Sequence, residues 1–169
     1  MGGDNSLRPF LIELPHSDAA LALSGGDQRN LSRLEALTGA SIVMRGLDLV
    51  INGRPAQLEW AAALVELMRP LWEEGQPVSL VDLQAANNAL NTGRSKDHSE
   101  LSNQVLAKGQ HGNLLRPRTL RQKSYVEAME KNDLSFVLGP AGTGKTFLAT
   151  VLAVRMLMER KVERLVLTR

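Results

Sequence analysis

The chain has 169 residues, 43% of them apolar and 22% charged, with no cysteine and three histidines. This composition excludes a disordered chain, a disulfide scaffold, a thiolate metal site and a cysteine nucleophile. His16, His98 and His111 are too far apart in sequence to share one helix face as metal ligands, and no apolar run reaches the roughly 18 residues of a membrane span. A soluble, cytoplasmic protein is expected.

The net charge of +2 averages two unlike halves. Residues 1–90 carry 6 Lys and Arg against 11 Asp and Glu, whereas residues 91–169 carry 14 against 7. Basic charge thus gathers where a polyanion would be held, although most of these side chains are expected to be ordinary solvated helix faces.

In chain order, Phe10, Ile12 and Leu14 alternate with Leu11 and Glu13 as in a strand. Asp18 to Leu23 suits a short helix ended by Gly25-Gly26. Asp27 is placed to cap a second helix with Leu31, Leu34 and Leu37 inward and Gly39 at its end. Ser41–Arg45 and Leu47–Asn52 read as two strands joined at Gly46. Pro55 suits a first helical turn, followed by an inward stripe of Leu58, Ala62, Val65 and Met68 up to Pro70. Trp60 and Trp72 read as packing residues. Ser79 starts another amphipathic stretch with Leu80, Leu83, Ala86 and Leu90, and Asn91–Glu100 reads as a polar linker or exposed loop. Val105-Leu106 and Leu114-Leu115 are expected to pair as a short hairpin across Gly109–Gly112. Beyond it, the pattern predicts a helix over Gln122–Lys131, a buried strand over Leu134–Leu138, a helix over Lys145–Arg160 and a second buried strand over Arg164–Thr168. Strand, loop, helix and strand in that order predict a βαβ unit.

Gly139-Pro140-Ala141-Gly142-Thr143-Gly144-Lys145-Thr146 is a complete GxxxxGK[ST] Walker A sequence between an apolar segment and a helix. Its glycines let consecutive backbone N–H groups turn toward phosphates, and the helix N-terminus adds positive potential. Lys145 is expected to reach the β- and γ-phosphates and the Thr146 hydroxyl to ligate Mg²⁺. The plain alternative is a glycine-rich turn with a purely structural role. Gln122, about 20 residues upstream, stands where helicase-like ATPases keep an adenine-reading glutamine; its amide donates and accepts at once, matching the N7 and N6 edge of adenine. A capping or solvated glutamine is the competing reading. Tyr125 suits either a place beside the base or the core.

FVLGPAGTGKTFLA, with RTLRQKSY before it and RLVLTR after it, resembles the bacterial PhoH-like ATPases of the phosphate-starvation-inducible type. LSGGDQRNLSRLEALTGASIVMRGLDLVINGRP resembles the small KH-like domain that precedes the ATPase in that family. The likeness is to the family's N-terminal portion. It implies an α/β chain: a KH-like α+β domain over residues 1–75, a helix, polar linker and hairpin over 76–115, and the first βαβ unit of a RecA- or helicase-like P-loop NTPase over 116–169. It further implies ATP and Mg²⁺ as cofactors, hydrolysis tied to RNA metabolism, an endoribonuclease partner and a ring-shaped homo-oligomer for the full-length protein. By matching positions, Gly139, Gly142, Gly144, Lys145 and Thr146 take the phosphate and metal roles and Gln122 the adenine role. Thr168 and Arg169 fall where helicase-type members place a nucleic-acid contact.

Two departures qualify the likeness. Gly25-Gly26-Asp27-Gln28 does not supply the GxxG clamp of a KH domain, and that half is acidic, which speaks for protein docking as much as for RNA. No Walker B acid follows the second expected strand, so the ATPase is expected to be truncated and inactive alone. The competing functions are a P-loop kinase and a non-enzymatic KH-like binding module with an incomplete ATPase.

Overall fold

A computed structural model of the chain describes residues 9–109 and 114–168, which divide into two units at His98 and Ser99. In the first unit, strand β1 (Phe10–Glu13) leads into helices α1 (Ser17–Ser24) and α2 (Arg29–Thr38). The hairpin β2 (Ser41–Arg45) and β3 (Asp48–Asn52) follows, then α3 (Pro55–Leu67), the short α4 (Arg69–Trp72) and α5 (Leu80–Asn91). Helix α6 (Ser95–Ser99) reaches the boundary.

The sheet is antiparallel in the order β1-β3-β2, with Ile12 opposite Leu49 and Ile42 opposite Ile51. Alternation sends Leu49, Ile51 and Ile42 into the core while Leu11 and Val43 stay exposed on the other face. Such a half-wet sheet is what an antiparallel arrangement tolerates. Leu23, Leu31, Leu34, Leu64, Val65 and Leu83 bring the helices onto the buried face. Trp72 is buried among them and its indole N–H donates to the Val65 carbonyl at 2.9 Å; the half-buried Trp60 donates to Asn87 Oδ1 at 3.1 Å. Both tryptophans therefore pack.

Several local expectations change. Asp27 does not cap α2: it pairs with Arg29 at 2.9 Å, and Gln28, with φ of +56°, precedes the helix. The buried stripe of α3 is Ala61, Leu64 and Val65, continued by the buried Met68 just past its end; it is turned slightly from the one expected, because the helix packs against both the sheet and α5. In α5 the exposed Leu80 gives way to Ala89. Asn91–Glu100 is not simply a linker, since α6 forms there and buries His98.

In the second unit a 3-10 turn (Glu100–Asn103) precedes a two-stranded antiparallel ribbon, β4 (Ala107–Lys108) with β5 (Leu114–Leu115). The pairing is shifted from the expected one: Ala107 faces Leu115, while Leu106 donates its N–H to the Leu115 carbonyl at 2.8 Å. The expected turn lies largely outside the described residues. Helices α7 (Leu120–Lys131) and α8 (Lys145–Met158) pack together, with Arg155 of α8 paired to Glu130 of α7.

The expected βαβ unit does not form among the described residues. Leu134–Leu138 and Arg164–Thr168 form no strand; Phe136 is 87% and Leu138 96% exposed. Parallel strands depend on hydrogen-bonding neighbours in a sheet whose two faces are covered. Among the described residues these two segments have neither. The described residues form a mixed α/β protein with two small antiparallel sheets.

Candidate functional site

The loop Gly139–Gly144 runs directly into α8, whose first residues are Lys145 and Thr146. The turn depends on two glycines in the left-handed region, Gly142 at φ +77° and Gly144 at φ +83°. A Cβ at Gly144 would also stand 3.3 Å from Gln122 Nε2, so this position is doubly restricted. The whole loop is accessible to solvent.

Lys145 folds back over the loop. Its ammonium donates to the carbonyls of Gly139 at 2.8 Å and Pro140 at 2.6 Å, and lies 3.4 Å from Thr143 Oγ1. Thr143 donates its own hydroxyl to the Pro140 carbonyl at 3.0 Å. The cation is thus already centred on the loop, beside the helix end whose first N–H groups point outward. Thr146 is exposed one residue further on.

Gln122 comes to the same loop from α7. Thr119 caps that helix, accepting from the Gln122 N–H at 3.1 Å. The Gln122 side chain then bridges two backbones: its Oε1 accepts from the Arg118 N–H at 2.7 Å, and its Nε2 donates to the Thr143 carbonyl at 3.2 Å. These bonds orient the amide, because only one assignment of oxygen and nitrogen satisfies both. They use one lone pair and one N–H, so the amide keeps the other of each for a ligand edge.

Tyr125 packs beside the buried trio Leu106, Val126 and Leu148, and its hydroxyl donates to the Lys145 carbonyl at 3.4 Å. Burial raises its pKa above the ordinary tyrosine value. It therefore supports the start of α8 from the core side. Sequence reasoning did not single out Phe147, which directly follows Thr146 and is 57% exposed despite its size; an aromatic side chain on the wet side of an amphipathic helix was the available signal. Among the described residues no group of three His, Asp or Glu gathers as a metal cluster, and no helix is long and apolar enough to cross a membrane. Thr168 lies in the exposed terminal segment, and Arg169 falls outside the described residues.

The site is thus a glycine-rich loop that opens a helix and holds a lysine over its own carbonyls. A family model described as "PhoH-like protein" matches residues 114–169. A PhoH-like protein of Synechocystis is 40% identical over 158 residues, covering 94% of this chain and 48% of that protein. A PhoH-like protein of Mycobacterium leprae is 33% identical, with 94% and 45% covered, and one of Bacillus subtilis is 31% identical, with 93% and 49% covered. The chain is similar to PhoH-like proteins over 94% of its length, and it spans about half the length of the curated relatives it matches. No solved structure matches it.

Proposed function

We propose that the chain binds ATP through the Gly139–Thr146 loop, as the nucleotide-holding part of an ATPase whose hydrolysis serves RNA metabolism. The observation that carries this is the loop itself, with Lys145 at the first turn of α8 and centred over the Gly139 and Pro140 carbonyls. Phosphate oxygens take the place of those carbonyls as partners of the ammonium, and charge-assisted bonds to phosphate are stronger than bonds to neutral oxygen. Pro140, Ala141, Gly142, Thr143 and Gly144 supply backbone N–H groups, save the proline, to the same phosphates. Gln122 reads the adenine edge with the donor and acceptor its two backbone bonds leave over.

The donor set fits a Mg²⁺ that arrives with the nucleotide: Thr146 offers one exposed hydroxyl, and magnesium ordinarily completes its shell with phosphate oxygens and water. When bound, the ion would neutralise charge on the β- and γ-phosphates. Thr146 would hold the ion, and Lys145 would hold the phosphates.

The first unit is proposed as KH-like. The order β1-α1-α2-β2-β3-α3 supports this, and Gly25-Gly26-Asp27-Gln28 falls between α1 and α2, where such a domain carries its clamp. With only the adjacent glycines there, the unit suits protein docking better than RNA gripping. Its far larger core favours a second reading, in which this unit acts as a binding module without catalysis. An endoribonuclease partner and a ring of subunits belong to the proposal for the full-length protein.

Calorimetric titration with ATP and Mg²⁺, with turnover assayed on the same sample, tests the reading. Lys145→Ala removes one charge-assisted contact, worth roughly 1.5–3 kcal/mol, and so should weaken ATP by about ten- to a hundredfold. Unchanged affinity in that variant would sink the loop assignment.

A further inference from the structure

The second unit contains an open cavity of about 330 Å³ between its β-ribbon and α8, within the range of small-molecule sites. Leu106, Leu148 and Val151 make an apolar floor, and Arg116, Arg118 and Phe147 stand around it. Two observations place this cavity beside the phosphate loop. Phe147 directly follows Thr146 on α8. Arg118, on the cavity wall, is joined to Thr143 of the loop by the single side chain of Gln122, through bonds of 2.7 and 3.2 Å.

The chemistry of the lining selects the occupant. An apolar floor disfavours a phosphate or a carbohydrate, whose polar groups would lose hydration without partners. A phenyl ring and guanidinium groups favour a flat heteroaromatic ring carrying an anionic tail. The loop next door holds the tail. We propose that this cavity receives the base of the nucleotide whose phosphates the Gly139–Thr146 loop binds, with Phe147 stacked on the face of the base. The inference rests on the phosphate-loop reading and adds a subsite to it. Stacking is indifferent to the hydrogen-bonding edge, so Phe147 contributes equally to adenine and guanine, whereas Gln122 distinguishes them.

The test titrates the full chain, Phe147→Ala, Phe147→Tyr and Gln122→Ala with ATP, GTP and inorganic triphosphate, all with Mg²⁺. Phe147 is exposed, so its truncation should leave the fold intact, as circular dichroism would verify. The expected result is that Phe147→Ala weakens ATP and GTP alike, by about tenfold, and leaves triphosphate unchanged. Phe147→Tyr should restore both nucleotides, and Gln122→Ala should weaken ATP more than GTP. If triphosphate binds the parent chain and Phe147→Ala leaves ATP unchanged, the base does not occupy the cavity although the loop reading stands. Equal losses of ATP and triphosphate in Phe147→Ala would show that the ring acts on the loop and not on a base, which also overturns the subsite. Failure of the parent chain to bind triphosphate or either nucleotide would remove the loop reading and the subsite together.

Discussion

His98 is 8% exposed, and among the described residues neither of its ring nitrogens has a hydrogen-bond partner. Burial lowers its pKa below the ordinary histidine value of 6.5, and nearby Asp82 offsets this only in part. The unfolded chain therefore takes up the proton first, so the stability held above pH 6.5 is lost as pH falls from there through the folded-state value. Urea midpoints at pH 7.5 and 5.5 should differ more for the parent chain than for His98→Leu, which cannot titrate. An equal difference in the two would exclude His98 as the cause. Asn30 shows the opposite case, a buried amide with both N–H donors paired. Its Nδ2 donates to the carbonyls of Leu23 at 3.0 Å and Val78 at 2.8 Å, tying the end of α1 and the segment before α5 to α2. Asn30→Asp would point a carboxylate at two carbonyl acceptors, so it should destabilise by more than the about 1–3 kcal/mol expected for Asn30→Ala. Denaturant unfolding of both variants decides the order.

At the scale of elements, legibility followed whether a segment carries its own stabilisation. Ser79 was readable as a helix start because the cap is local: its hydroxyl accepts from the Asp82 N–H, and the Asp82 carboxylate accepts from the Ser79 N–H at 2.8 Å. The β2–β3 hairpin was readable because alternation and a glycine turn lie within twelve residues. Leu134–Leu138 and Arg164–Thr168 have the composition of buried strands, but composition states only what a segment would do inside a sheet. The same dependence moved the buried stripe of α3 and replaced the expected Asp27 cap. Ser79→Ala should cost about 1 kcal/mol, measured as a lower thermal midpoint of the first unit; no change would mean that packing alone holds the start of α5.

At the scale of the molecule the two units are unequally built. Among the described residues the first joins 18 buried side chains into one core, whereas the largest cluster of the second joins three. Since burial of apolar surface supplies most of the stabilisation of a fold, the first unit should outlast the second under stress. Limited trypsin digestion should cut first at Lys131, Arg160, Lys161 and Arg164, which flank or lie within the exposed apolar segments. It should leave a protected fragment containing the first unit, identifiable by mass. Early cleavage at Arg33, within α2, would contradict the inequality.

The sequence by itself determined the helices α1, α2, α3, α5, α7 and α8, the β2–β3 hairpin, the division of charge and the loop Gly139–Thr146, because each rests on local propensity, short-range periodicity or a contiguous motif. The tertiary structure alone decided the fate of the two apolar segments, since a strand is made by its neighbours. It also decided that the Gln122 amide is oriented by Arg118 and Thr143, and that Phe147 stands over a cavity floored by Leu106 and Val151. Those contacts join residues far apart in the chain, and no local pattern encodes which distant backbone or side chain will meet them.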